Sequence, residues 1–269
     1  MPEPAPGPTV DDALASRLEA AHGRYAALRA VAAAEDGTER AFGAAIATRV
    51  QSEPGFWYAN RVFGLVPAEA GRLPEIQAFF AGDAPIRIEA PPGAVDEELS
   101  RLLIEAGFRP IELSAVMAGR PELVGRGGSR AVDVAELRAG DERFWPLYQK
   151  CFEEAALMPE REKLAARVWR EHADRISCWV ASVDGAPVAV AILYLDEDVA
   201  VLADAATLPA HRSRGCQAAL IDARARAAAT RGATVLTSDV EFGSTSHRNL
   251  QAAGLATAYT KLVWQRSGT

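Results

Sequence analysis

Apolar residues recur at three- and four-residue steps through "DDALASRLEAAHGRYAALRAVAAA" (11–34), where Leu14, Leu18, Ala21, Tyr25 and Leu28 form one stripe. That spacing predicts an amphipathic helix, and Asp11 or Asp12 is the residue type that caps a helix start. The period then shortens. "FGAAIATRV" (42–50) and "FWYANRVFGL" (56–65) read as strands separated by the turn signal "QSEPG". A helix within 67–81, a strand in "PIRIEA" (85–90), a helix over 94–106 and a strand in "IELSAVM" (111–117) complete a mixed first half.

After a glycine- and arginine-rich stretch, the alternation resumes with the strand "AVDVAEL" (131–137) and helical patterns over 140–155 and 160–173. Strands follow in "SCWVASV" (177–183), "PVAVAILYL" (187–195) and "VAVLADAATL" (199–208), the first two joined by the hairpin signal "VDGAP". A helix over 216–230, a strand in "TVLTSDVEF" (234–242), a helix over 245–253 and a strand in "TAYTKLVW" (257–264) close the chain. Both halves end alike. "RLLIEAGFRPIELSAVM" (101–117) aligns without gaps to "RNLQAAGLATAYTKLVW" (248–264), each a helix ending on a glycine and followed by a strand. A duplicated α/β unit is the resulting expectation.

"RPELVGRGGSR" (120–130) resembles a phosphate loop only in its glycines; no apolar strand delivers them and no helical pattern follows at once. It reads as a linker, which divides the chain into 1–10 as a flexible proline-rich tail, 11–120, a linker over 121–130, and 131–269. Across its 269 residues, 36 acidic against 29 basic side chains give a net charge of -7. That balance argues against a general nucleic-acid binder, which needs an excess of cations on phosphate. No apolar run reaches the ~18 residues that span a bilayer, so no membrane partner is expected. Cys151, Cys178 and Cys216 have neither disulfide parity nor zinc spacing, so no metal is expected and a reducing cytoplasm is the expected location.

The chemistry concentrates in "TLPAHRSRGCQAALI" (207–221). Pro209 stops the preceding strand, Gly215 permits close backbone approach, and the helical pattern starts at once. A helix start presents unpaired N–H groups and partial positive charge, to which Arg212 and Arg214 add. The segment reads either as an anion cradle or as two arginines on a solvated helix start.

This segment resembles motif A of the GCN5-related N-acetyltransferase (GNAT) superfamily, with Arg212 and Gly215 on the motif's Arg and first Gly; Gln217 stands where Gly or Ala is usual. "STSHRNLQAAGL" (244–255) is similar to motif B, with Leu255 in place of Phe. The resemblance implies an α/β (α+β) fold of two GNAT-like units, each a mixed, mostly antiparallel twisted sheet flanked by helices, the first unit degenerate. It implies acetyl-coenzyme A as co-substrate. The pyrophosphate would lie on the amides of Ser213, Arg214, Gly215, Cys216, Gln217 and Ala218 beside Arg212, and the backbone of Ala206, Thr207 and Leu208 along the pantetheine arm. Ser246 and Asn249 would stand beside the coenzyme.

Acetyl transfer to an amine needs a proton acceptor and a proton donor. Asp204 lies on the strand whose equivalents in the family carry the base, and Asp239 and Glu241 alternate onto one strand face. Each also reads as a solvated carboxylate. The family's usual acid is a tyrosine at the position of Leu250 here; Tyr259 is the substitute candidate, and equally a packed strand tyrosine. Cys216 at a positive helix start invites an acyl-cysteine route, against which stand the absence of a neighbouring His and the direct transfer implied by the family. The expected function is an acetyltransferase acting by direct attack of a small-molecule or amino-acid amine, in a monomer or homodimer. A non-catalytic acyl-coenzyme A sensor and a purely structural protein are the alternatives.

Overall fold

The structure, a computed structural model, describes residues 11–56, 58–80, 85–91, 96–125, 131–152 and 159–266. The expected tail over 1–10 and residues 126–130 of the expected linker lie outside the described residues. The chain forms two compact units. One holds Val10–Ala115 together with Tyr259–Thr269, and the other contains Val116–Ala258. Contiguous halves at 11–120 and 131–269 were the expectation; in the structure the last strand is divided, so the end of the chain belongs to the N-terminal unit.

In the N-terminal unit, α1 (Asp12–Ala33) is capped by Asp11, whose carboxylate accepts the Leu14 N–H at 2.8 Å. The strands β1 (Gly37–Phe42) and β2 (Ala45–Val50) form a hairpin whose two-residue turn starts at Gly43, φ +70°. This differs from the sequence reading, which began the first strand at Phe42 and ran the second over 56–65. β1 is an edge strand exposed along most of its length, so it lacks the apolar alternation that marks a strand. The next strand, β3, is confined to Arg61–Phe63. A 3₁₀ turn (Pro67–Arg72), α2 (Leu73–Phe80), β4 (Ile86–Ala90), α3 (Glu97–Glu105) and the start of β5 (Arg109–Gly119) follow.

The sheet order here is β1-β2-β3-β4-β11, where β11 is Ala256–Arg266. β3 and β4 are parallel and the other neighbours antiparallel. Phe42, Val62, Ile76, Ile88, Leu99 and Trp264 belong to one buried cluster that binds α2 and α3 to the sheet.

The C-terminal unit contains β6 (Asp133–Leu137), α4 (Phe144–Phe152), α5 (Pro159–Glu171), β7 (Ile176–Val183), β8 (Ala186–Asp196), β9 (Val199–Thr207), α6 (Cys216–Thr230), β10 (Val235–Glu241) and α7 (Thr245–Ala252). The sheet runs β10-β9-β8-β7-β6, antiparallel except for the parallel pair β9 and β10. Asp184 and Gly185, both at positive φ, make the β7–β8 turn that Asp-Gly predicts. Both α4 and α6 pack on β8, which explains its near-continuous apolar run. Each unit is therefore a mixed, mostly antiparallel sheet flanked by helices.

The repeated endings share one backbone design. After α3, the Gly107 N–H donates to the Ile104 carbonyl and the Phe108 N–H to Leu103. After α7, Gly254 donates to Gln251 and Leu255 to Leu250, with both glycines at positive φ. These are paired Schellman closures, which need a left-handed residue at the glycine position.

Candidate active site

β9 supplies the frame of the site. It pairs with β8 through Val190↔Ala206 and Ile192↔Ala203, so β9 carries one more residue than its partner between those pairs. Asp204 falls in this bulge at φ +40°, a left-handed conformation that is uncommon for a residue with a side chain. On its other side β9 pairs with β10 only over Val199–Val201 and Val235–Thr237, although both strands continue. The Ser238 hydroxyl donates to the Leu202 carbonyl at 2.9 Å where the pairing stops. Beyond it, among the described residues, no strand pairs with the β10-facing backbone edge of Ala205–Thr207, leaving a slot for an extended ligand.

A buried cation stands under the bulge. Arg224 of α6 is 1% exposed, and its guanidinium donates to the carbonyls of Ile192 (2.8 Å), Ala203 (3.1 Å) and Leu220 (3.1 Å). Ala203 immediately precedes Asp204, so these bonds fix the backbone that presents the carboxylate. Burying a cation is costly, and the three carbonyl dipoles offset that cost.

The Asp204 carboxylate accepts from the Tyr148 hydroxyl at 3.1 Å. Tyr148 is clamped by its aromatic neighbours on α4, with ring centroids 5.3 Å from Trp145, 5.8 Å from Phe144 and 4.5 Å from Phe152. Ring packing removes its rotamer freedom, so the carboxylate is held from the side chain as well as from the backbone.

Past β9, the Leu208 N–H donates to the Val188 carbonyl, a 3₁₀ turn covers Pro209–His211, and Ser213 and Gly215 adopt φ +62° and +85°. The first bond of α6 runs from the Ala219 N–H to the Gly215 carbonyl (3.0 Å), leaving the N–H groups of Cys216, Gln217 and Ala218 without an intrahelical partner. Arg212 donates from Nε to the Thr207 carbonyl (3.3 Å), and Arg214 lies 3.6 Å from Asp184. The Gln217 side chain donates to the Thr207 hydroxyl at 3.1 Å, so it ties the helix start to the end of β9. Burial pushes the Cys216 thiol above its ordinary value, which disfavours the thiolate that an acyl-cysteine route needs.

The remaining expected residues divide by location. On α7, Ser244 is the cap, its hydroxyl accepting the His247 N–H (3.1 Å). Ser246 and Asn249, three residues apart, share a helix face. Asp239 and Glu241 lie on the end of β10 beyond its pairing with β9, half-buried and exposed respectively. Leu250 is buried at the position of the family's tyrosine. Tyr259 belongs to the N-terminal unit, where its hydroxyl donates to Glu19 at 2.8 Å. Sequence reasoning overlooked Tyr148 and Arg224. Tyr148 sits in the aromatic run "FWPLYQKCF" and reads as core, whereas Arg224 did leave a signal, being a charge on the apolar stripe between Leu220 and Ala228.

Residues 118–242 match the family model described as an acetyltransferase (GNAT) domain. Over that segment the chain is similar to a GNAT acetyltransferase domain. Acyl transfer from an acyl-coenzyme A is the chemistry of that family. Solved structures extend the likeness of fold over the whole chain. A GCN5-related N-acetyltransferase from Kribbella flavida is 20% identical with a TM-score of 0.65, covering 95% of this chain and 96% of that one. Another from Sphaerobacter thermophilus is 15% identical with a TM-score of 0.59, over 84% and 82% of the two chains. A tandem GNAT protein from the clavulanic acid biosynthesis pathway is 13% identical with a TM-score of 0.57, over 92% and 94%. No curated protein matches the chain significantly. The GNAT match spans β6 to β10 and so contains the bulge, the slot and the helix start.

Proposed function

We propose that the C-terminal unit is an N-acetyltransferase that moves an acetyl group from acetyl-coenzyme A to the amine of a small molecule or amino acid by direct attack. The observation that carries this reading is that one strand, β9, delivers both a fixed carboxylate at its bulge and an anion cradle at its end. The residues present fit the coenzyme. Three amide N–H groups at the start of α6, with Arg212 and Arg214 beside them, suit a pyrophosphate, and the edge of Ala205–Thr207 beyond the β9–β10 pairing suits an extended amide-bearing arm. When bound, the coenzyme supplies the acetyl group as a thioester with a thiol leaving group.

The protein's own part is positioning and proton handling. Asp204 accepts the proton that an ammonium must lose before it can attack, and Tyr148 holds that carboxylate in one orientation. Arg224 maintains the bulge from beneath. Fixing two reactants in line supplies much of the remaining rate.

Calorimetry with acetyl-coenzyme A, followed by an amine panel with thiol detection, tests the reading. Wild type is expected to bind the coenzyme and release thiol with at least one amine. Arg212→Glu replaces a donor with a like charge beside the pyrophosphate, and is expected to weaken binding by about 100-fold. Buried Leu250, which cannot donate a proton, favours a second reading as an acyl-coenzyme A sensor. Binding with no thiol release from any amine would select that reading, and no coenzyme binding would sink both.

A further inference from the structure

The N-terminal unit contains a cavity of about 480 Å³ that the chemistry above does not use. One wall is a face of α1 carrying Asp12, Ala15, Ser16 and Glu19 at helical spacing; the opposite wall includes Phe63 and Val66. Phe63 closes β3, and Pro91, also on the lining, follows β4. These two strands are parallel, so the cavity lies at their carboxyl ends, the position at which open sheets bind ligands. Its volume is in the range of small-molecule sites.

The lining has a definite chemical character. Most of it is carbon, from alanine, isoleucine, valine, phenylalanine and proline side chains, and among the described residues its charged groups are two carboxylates. Glu19 is 5% exposed and cannot swing aside. The Tyr259 hydroxyl (2.8 Å) and the Lys261 ammonium (3.2 Å to each oxygen) hold its carboxylate, and Lys261 is itself fixed by Glu89 at 2.7 Å, which pairs with Arg61. Within that buried cluster the charges of Glu19, Glu89, Lys261 and Arg61 cancel, so Asp12 leaves the cavity net negative. An anionic ligand is therefore disfavoured. After β3 the chain offers no arginine cradle of the kind that follows β9; Glu69 stands there instead, accepting the Ala44 N–H at 3.2 Å.

We propose that this cavity binds a small organic cation with an apolar body, such as an aryl or alkyl amine, as a site separate from the acetyl-transfer chemistry. The apolar lining takes the body, and Asp12, the carboxylate on the lining that the buried cluster does not compensate, takes the ammonium.

Titration of the full chain with three matched pairs tests this: benzylamine and benzyl alcohol, phenethylamine and phenylethanol, hexylamine and hexanol. Ligand-observed NMR is the readout, with calorimetry for the tightest binder. At least one amine is expected to bind with a dissociation constant on the order of 1 mM or below, about tenfold tighter than its alcohol because the charge-assisted bond is lost in the latter. Ala15→Phe and Ser16→Phe each add a ring on the α1 wall of the cavity, and whichever retains the wild-type melting temperature is expected to weaken that amine at least tenfold. Should no amine exceed its alcohol, or should amine binding persist in both filled variants, the proposal is overturned. In the second case the amine is occupying another site.

Discussion

From α1 and from α5 onward the two units use the same order of strands and helices, yet they treat the corresponding stretch after a parallel strand in opposite ways. After β9, a 3₁₀ turn is followed by left-handed Ser213 and Gly215, which open a gap before α6 and leave its first amides facing outward. After β3, the 3₁₀ turn runs directly into α2 through Leu73 at φ -53°, with no left-handed residue between them. Where the first arrangement offers Arg212 and Arg214, the second folds Glu69 back over the β1–β2 turn, so closely that a Cβ at Gly43 would lie 2.5 Å from its carboxylate. The parallel strand pairs themselves are alike, each three residue pairs long, with the Gly64 N–H closing the β3–β4 ladder on the Glu89 carbonyl at 3.1 Å. Shared topology thus fixes where a ligand can lie, and a few loop residues decide its charge.

The largest effect that could break this contrast belongs to Asp204. Among the described residues, the strand pairings of the N-terminal unit show no bulge that holds a carboxylate, so catalysis should depend on this residue of the C-terminal unit alone. Asp204→Asn keeps an acceptor for the Tyr148 hydroxyl but removes the proton-accepting group. Turnover is expected to fall by about 10² or more, with coenzyme affinity within about twofold of wild type, since the anion cradle does not involve this side chain. Steady-state kinetics beside calorimetry reads both. Exposed Glu241 provides the control, because Glu241→Gln is expected to change turnover by less than about twofold. A reversed ranking would move the base to β10.

A smaller effect separates the two kinds of buried charge. In the C-terminal unit Arg224 is held by carbonyl oxygens, whereas in the N-terminal unit Lys261 is held by carboxylates. Arg224→Met keeps the length and apolar stem but leaves the Ile192 and Ala203 carbonyls without these donors, at about 1–3 kcal/mol for each orphaned group. Denaturant melts are expected to show a loss of about 3 kcal/mol. Stability alone would make Arg224 structural. A positioning role adds a fall in kcat of about tenfold in the folded variant at unchanged KM for coenzyme, as expected when a bulge that aims a base loosens. Arg224→Lys supplies one donor point in place of a fork and is expected to fall between the two.

What the sequence revealed, and what it concealed, follows the range of the interactions involved. The helix start after β9 was legible because Pro209, Gly215 and the two arginines act within a few residues of one another. The Schellman closures were legible as a glycine at the same place in two aligned segments. Gln217, which departs from the family motif, needed the fold for its explanation: its amide bonds Thr207, ten positions earlier. The bulge at Asp204 is a property of cross-strand register, which no local pattern encodes. Farther still, Tyr259 reads as a free candidate acid until Glu19, 240 positions away, is seen to accept its hydroxyl. Contacts of that span are settled by the whole fold.

The mildest prediction uses the buried cluster of the N-terminal unit. Burial, reinforced by Lys261 and Arg61 and opposed by Glu89, lowers the His22 pKa from 6.5 to about 3. The unfolded chain therefore takes up a proton below pH 6.5 that the folded unit refuses until about pH 3. Stability from this group is complete above pH 6.5 and drains away as the pH falls through that window. One such proton corresponds to about 1.4 kcal/mol per pH unit, so His22→Gln is expected to flatten the slope of unfolding free energy between pH 6 and 4 by about 1 kcal/mol per unit. The slope is the right quantity, because it is insensitive to whatever packing the substitution costs at neutral pH. His22 lies in the N-terminal unit, so acid should open that unit first. Hydrogen exchange measured by mass spectrometry is expected to show α1 peptides losing protection at a higher pH than those of β8 and α6. Equal loss in both units would show that acid stability is set elsewhere than at His22.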